Sequence, residues 1–437
     1  MHAGGSRARC GSGALMVLWK YELLLLLRAR AALAGLLLLA LLTVCSLLSG
    51  QHVMATQRDN IAKIAALQRE DSAAVEDYVA RSNDAGSAAY YSFHPTWDLP
   101  SPLAFAAVGM RDVSPYILRV RALGLEAQIH DGDSYNPELA LAGRFDYAFV
   151  LVFLLPLFVI ALLFDLRSGE REAGRARMLA ALPCTGAALL VRRVVVRAAA
   201  VLVCLSVPFV MFATFNAVPW LQQLAVLALG GAYLLFWVLL SVLVGRIRWR
   251  PAAHATALAA CWVVLALVAP ALAHVAINQA VPVNQGTEIA RLQREAVNHA
   301  WDIPRQDTMQ AFYARNRQWA DSAPLTTAFH YKWYFAFHDN GDQQVAPQVA
   351  AYRQGLQRRE ALAQRVASVL PPVALQAALT RLAGTDLQAQ LAYQDRIRAY
   401  HRALRTFYYG YLFRDRPFTR DDFGRAPRFE TTAGPAS

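Results

Sequence analysis

Five apolar runs constrain this chain most: Ala31–Ser49, Tyr147–Leu166, Val194–Phe215, Leu221–Val244 and Ala252–Ile277. Crossing a bilayer as a helix takes roughly 20 apolar residues, and each run meets or comes close to that length. In hydrocarbon every backbone polar group must be satisfied within the segment, which leaves helices and excludes loops or open sheets for such runs. The expected fold is therefore mainly α: a polytopic membrane protein with about five transmembrane helices and two large extracytoplasmic domains. Pro156, Pro208 and Pro270 fall inside three of the runs. A proline frees a carbonyl one turn earlier, which a neighbour must re-satisfy, so these positions mark kinks and packed interfaces.

Charge sets the expected orientation. The chain carries 43 Lys and Arg against 31 Asp and Glu, a net charge of +12, and its basic residues sit beside the apolar runs. Lys20, Arg28 and Arg30 precede the first run. Arg167, Arg171, Arg175, Arg177, Arg192 and Arg193 fill the loop after the second, and Arg246, Arg248 and Arg250 follow the fourth. The short turn Asn216–Trp220 has none. Short basic segments stay in the cytoplasm, so all three belong there and no nucleic acid partner is needed to explain the charge. The expected layout is a cytoplasmic amino terminus with an interfacial helix (1–30), a first span (31–49), a first periplasmic domain (50–146) and a second span (147–166). A cytoplasmic loop (167–193), three further spans (194–277) and a second periplasmic domain (278–437) follow. An odd number of spans puts the carboxyl terminus outside, in the inner membrane of a bacterium. Met1 to Leu15 is rich in Gly, Ser and Arg, and Met16 is a plausible start. No small-residue cleavage site closes the first apolar run, which reads as a retained anchor. Met16–Arg30 either lies along the inner surface or extends the first span.

The polar regions hold no cysteine, so no disulfide framework is expected. The first opens with a helical pattern (Ile61, Ile64, Leu67) and turns loop-rich at Pro95, Pro100 and Pro102. The second begins with a helix at Glu288–His299 and ends with one at Leu387–Tyr409. Val366–Leu379, broken by Pro371-Pro372, reads as an amphipathic or buried helix. Between them, Phe329–His338 is either a half-buried strand or an interfacial aromatic patch. His330 and His338 flank that run, but no pair of histidines has helical metal-site spacing, and packing is the expected role. No catalytic, cofactor or metal site is expected on this chain. A phosphate-binding loop needs a lysine just after a glycine. The three lysines, Lys20, Lys63 and Lys332, follow Trp19, Ala62 and Tyr331, so any ATP is hydrolysed by another polypeptide.

The loop Leu166–Arg193 is the segment most suited to a contact. It reads as a helix starting near Ser168 or Gly169, with Glu170 and Glu172 complementing its dipole in the first turn. Gly174 permits close approach, and Met178, Leu179 and Leu182 form an apolar knob ending at Pro183. An ordinary interfacial loop with solvated charges is the plainer alternative.

The pattern Glu170-x-Glu172-x-Gly174, with Pro183 nine and Arg193 nineteen residues beyond the glycine, resembles the loop after the second span of type-2 ABC transporter permeases. It departs from that family at Arg175, Ala176 and Ala180. Pro100–Ala104, Val108-Gly109, Asp112, Pro115, Asn136-Pro137, Gly143, Phe145-Asp146, Leu382–Asp386 and Pro427–Phe429 are similar to a branch of these permeases with two large external domains. The resemblance implies a half-transporter that pairs with a second permease chain, identical or sister, in the lipid bilayer. A cytoplasmic ABC ATPase carrying ATP and Mg would dock on Glu170, Glu172, Gly174, Leu179, Leu182 and Pro183, with Arg193 leading into the third span, and the direction implied is export. Two rivals remain open on the residues: a membrane-anchored periplasmic binding or scaffold protein without transport, and an envelope enzyme using outer acids and histidines such as Asp133 or His330.

Overall fold

A computed structural model describes residues 12–130, 143–175, 178, 186–283 and 286–429. The chain is mainly helical. Among the described residues, five helices are long and apolar enough to cross a membrane: Arg30–Ser82, Tyr147–Glu172, Ala188–Phe215, Trp220–Val244 and Pro251–Ala280. Each contains one of the apolar runs, and together they make this a membrane-associated protein.

The first span is only the start of a 53-residue helix. At 1.5 Å per residue that is about 80 Å, against a hydrocarbon core of about 30 Å, so its second half leaves the bilayer. Burial follows the same division. Leu36, Leu39 and Leu47 pack into the helix bundle, whereas Val79 packs into the polar body. The preceding helix, Ser12–Arg28, is separate, with Ala29 extended at φ −74° and ψ 95°. The segment Met16–Arg30 is thus divided between two helices at Ala29.

Two prolines in the spans follow a widened turn. Val150–Leu154 and Val264–Val268 are π-helical, and Pro156 and Pro270 lie just beyond them. Having no N–H, Pro156 leaves the Val152 carbonyl without its usual helical donor. The Tyr233 hydroxyl supplies one at 3.0 Å, and Trp262 Nε1 donates to the adjacent Phe153 carbonyl at 3.1 Å. Pro208, by contrast, sits inside an uninterrupted helix, Gly186–Phe215.

Both polar regions contribute to one core. Val79, Val120 and Leu123 of the first pack with Phe335, Phe337, Leu404 and Tyr408 of the second. The first region adds a two-stranded antiparallel sheet, β1 (His94–Trp97) and β2 (Ile117–Val120), with His94 opposite Val120. The second adds helices Gly286–His299, Arg305–Arg315, Tyr331–Ala367 and Leu387–Leu412. A buried ion cluster joins them. Arg405 donates to Asp339 at 3.0 Å and Asp342 at 2.8 Å, and to the Leu123 carbonyl at 2.7 Å.

The aromatic run is helical, not a strand. His330 caps the helix Tyr331–Ala367 by accepting from the Lys332 N–H at 3.1 Å. Trp333, Phe335, Ala336 and Phe337 are all buried, so the segment is covered on several sides and shows no amphipathic period. The apolar stretch at Val366–Leu379 divides at Leu370 and restarts as the helix Pro371–Ala383. Its Leu375, Leu379 and Ala383 bury against the spans, as expected of a buried helix.

The bundle thus has two unlike ends. At one, Gln51 and Asn216 exchange hydrogen bonds at 3.2 and 2.8 Å beneath the polar body. At the other, Arg171 from the loop after the second span reaches the Ile247 carbonyl after the fourth at 3.1 Å. The three basic segments gather at this second end.

Candidate functional site

The loop after the second span begins with a short helix, Ser168–Glu172, at the position the sequence suggests. Glu170 accepts from Arg175 Nε and from Arg193 Nη1, both at 2.7 Å. Arg193 also turns its Nε toward Glu22 Oε2 at 3.3 Å. The Arg193, Glu170 and Glu22 side chains are only 20%, 18% and 10% exposed, so these charge-assisted bonds are shielded from water and hold a defined geometry. One guanidinium thereby ties three elements together: the helix before the first span, the loop, and the root of the third span. Arg197, one turn on, reaches the Leu162 carbonyl and lies 3.9 Å from Asp165.

Glu172 behaves differently. It is exposed and has no hydrogen-bond or ion-pair partner among the described residues. Met178 is 75% exposed. Gly174 has a φ of +70°, a left-handed conformation that glycine adopts freely, and a Cβ there would meet nothing within 4 Å among the described residues. Leu179, Leu182 and Pro183 lie outside the described residues.

Sequence reasoning missed Glu22. A lone acid in the stretch Tyr21-Glu22-Leu23 was the available signal, since a carboxylate in an apolar helix requires a partner. The separation of 171 residues hid which partner it takes.

In the polar body His94 and His338 pack, whereas the His299 side chain is 74% exposed. Burial holds His94 down at about 4 and His338 at about 3, so both are neutral at ordinary pH. His94 shares a hydrogen bond with the Tyr408 hydroxyl at 3.1 Å, and His338 Nδ1 accepts from the Gly124 N–H at 3.3 Å. No group of His, Cys, Asp and Glu among the described residues could hold a metal ion. Asp133 lies outside the described residues.

Where the body meets the spans, three distant stretches form a knot. The Met110 N–H donates to the Thr385 carbonyl and the Thr385 hydroxyl to the Ala107 carbonyl, both at 2.8 Å. Asp146 accepts from the Val108 N–H at 2.8 Å and from Phe149 N–H at 2.9 Å, capping the second span. Burial outweighs these donors and raises the Asp146 carboxyl to about 6.

Residues 287–432, within the second polar region, match a family model described as a domain of unknown function, DUF3526. No curated protein and no solved structure matches the chain.

Proposed function

We propose that this chain is the permease subunit of an ABC transporter of a bacterial inner membrane, acting in export. It is driven by a separate cytoplasmic ATPase, which holds the ATP and Mg and docks on the loop after the second span. The basic end of the bundle is cytoplasmic in this reading and the polar body periplasmic, in accord with the positive-inside rule. The chain performs no covalent chemistry. A second permease chain completes the pathway, and the fifth span suits that role or lipid contact, because only 6% of its apolar window is buried within the chain.

The observation that carries the proposal is the Glu22–Arg193–Glu170 linkage, with exposed Glu172 beside it. A force applied to the loop reaches two other helices through Arg193, which is the mechanical requirement for coupling a motor to a bundle. Glu172 is free to meet a partner.

Glu172→Lys is the corresponding test, because it breaks no bond among the described residues. The expected outcome is a protein that inserts and melts as the parent does but no longer co-purifies with an ATPase or supports its activity. Undiminished ATPase association and transport in that variant refutes the docking assignment. A chain that purifies alone under several mild detergents, without ATPase activity, favours the scaffold reading instead.

A further inference from the structure

A cavity of about 580 Å³ opens where the polar body sits on the spans. That size suits a small organic molecule, since such pockets run from roughly 300 to 1,000 Å³. Its two sides differ in chemistry. The membrane side is apolar, formed by Phe149, Val152, Phe153, Ala266 and Pro270, with Val373 opposite. Phe149 and Phe153 run along it with ring centroids 5.1 Å apart. The body side carries Asp112, Asp146, Glu360 and Asp386, four carboxylates against the one guanidinium of Arg144.

Existing bonds account for most of that charge, but not all. Asp112 is paired with Arg144, Asp146 caps the second span, and Asp386 caps the carboxyl-terminal helix by accepting from Ala389 at 3.1 Å. Among the described residues Glu360 meets only the Gln364 side chain, at 3.2 Å and one turn away on its own helix. Glu360 is partly exposed at a pocket wall, with no cation opposite it among the described residues.

The spans are also irregular at this level. Val152 and Phe153 belong to one π-helical turn and Ala266 to the other, and these are the two π-helical segments among the described residues. Such widened turns interrupt a regular helix at a cost and occur often at functional sites. Here both face one cavity.

We propose that this cavity binds an amphipathic cation, its apolar part against Phe149, Phe153 and Pro270 and its positive group facing Glu360. An anion meets four carboxylates there, and a purely polar solute leaves the aromatic wall without a partner. The site stands on the cavity's own geometry; only its use as a cargo site rests on the transporter reading above.

The test is equilibrium binding of radiolabelled tetraphenylphosphonium to the full chain in lipid nanodiscs, with empty discs subtracted and no nucleotide or ATPase present. Tetraphenylborate, of the same shape and opposite charge, is the competitor. Saturable binding of one cation per chain is expected, without competition by the borate. Glu360→Gln weakens it about tenfold, the equivalent of one lost charge contact of about 1.4 kcal/mol, and Glu360→Asp restores part of it. Val373→Trp, which fills the cavity, removes binding without touching the charge. Absence of saturable binding, equal binding of both ions, or affinity unchanged in both Glu360→Gln and Val373→Trp overturns the proposal. Because no ATPase is present, any of these results leaves the coupling assignment standing, and undiminished ATPase association in Glu172→Lys, which refutes that assignment, leaves the cavity assignment standing.

Discussion

Arg405→Met strands two buried carboxylates and so measures what holds the polar body together. The guanidinium donates to Asp339 at 3.0 Å and Asp342 at 2.8 Å, and to the carbonyls of Ala122 at 3.2 Å and Leu123 at 2.7 Å. Methionine replaces most of the lost volume, so the cavity contribution is small. What remains is a pair of acids, 12% and 11% exposed: Asp342 has lost its ion pair with Arg405, and Asp339 keeps only the more distant Arg315 guanidinium at 3.8 Å. Lys332, the one buried lysine, is already engaged with Asp415 at 2.7 Å. Removing one partner of a buried ion pair costs about 3–5 kcal/mol, most of it the penalty of the charge left behind. A domain of this size melts roughly 2–4 °C lower per kcal/mol, so the expected fall is roughly 6–20 °C. Intrinsic fluorescence during heating of the detergent-purified protein reads it, at one fixed scan rate for all variants. The companion variant Arg405→Met/Asp339→Asn/Asp342→Asn removes the charges together, and at least half of the lost stability should return. If that triple variant melts as low as Arg405→Met alone, stranded charge is not the cause and the reasoning fails.

Gly50→Ala should destabilise by about 1–3 kcal/mol, because its Cβ would lie 1.9 Å from the Phe105 carbonyl oxygen, a backbone atom that no rotamer can move. Helix propensity alone argues the opposite sign, a gain of up to ~1 kcal/mol, so the direction of the melting shift decides between them. Burial opposes ionisation of Glu126, but two hydrogen bonds from Arg398, at 2.8 and 2.9 Å, with His130 Nε2 3.5 Å away, overcome it and hold the carboxyl at about 2, below its ordinary 4.5. The stabilisation, about 3 kcal/mol, is present above pH 4.5 and lost as pH falls toward 2; Glu126→Gln should flatten that part of the stability profile. Tyr233→Phe leaves the Val152 carbonyl without its 3.0 Å donor and should cost about 1 kcal/mol. Adding Pro156→Ala, which returns a backbone N–H, should recover much of that loss; if it recovers none, proline did not create the need for the tyrosine.

The spans were legible because length and hydropathy suffice to identify them, whatever packs around them. Boundaries outside the bilayer were less so. Nothing in Ser49–Ile61 announces that the first span continues as one helix to Ser82, because polar residues propagate a helix as readily as they end one. Arg28-Ala29-Arg30 contains neither glycine nor proline, yet the chain breaks there. The helix Tyr331–Ala367 shows a different limit. Its first turns are covered by Arg305–Arg315 on one side and by the carboxyl-terminal helix on another, and a segment buried on several faces carries no period to read. The shared core of the two polar regions was hidden for a third reason. Arg405 and the Leu123 carbonyl it holds are 282 residues apart, and no local pattern pairs them.

At the basic end, the sequence singled out Glu170 and Glu172 together, but the fold separates their tasks. Glu170 is spent inside the chain, held by Arg175 and Arg193 at 2.7 Å each, so its replacement loosens the joint between loop and bundle. Glu172 makes no such bond among the described residues, so in the proposed reading its replacement alters what an outside partner meets. Two acids two positions apart on a short helix point in different directions, since each position turns about 100° and two turn about 200°. In the proposed coupling, a carboxylate with an arginine on the same bundle would be part of the lever, and the one facing water would be the handle. On this basis a defect in Glu170→Gln should be mirrored by Arg193→Gln and should not deepen when both are changed, since the two act through one bond. A defect in Glu172→Lys should instead add to either, because it acts on a separate contact.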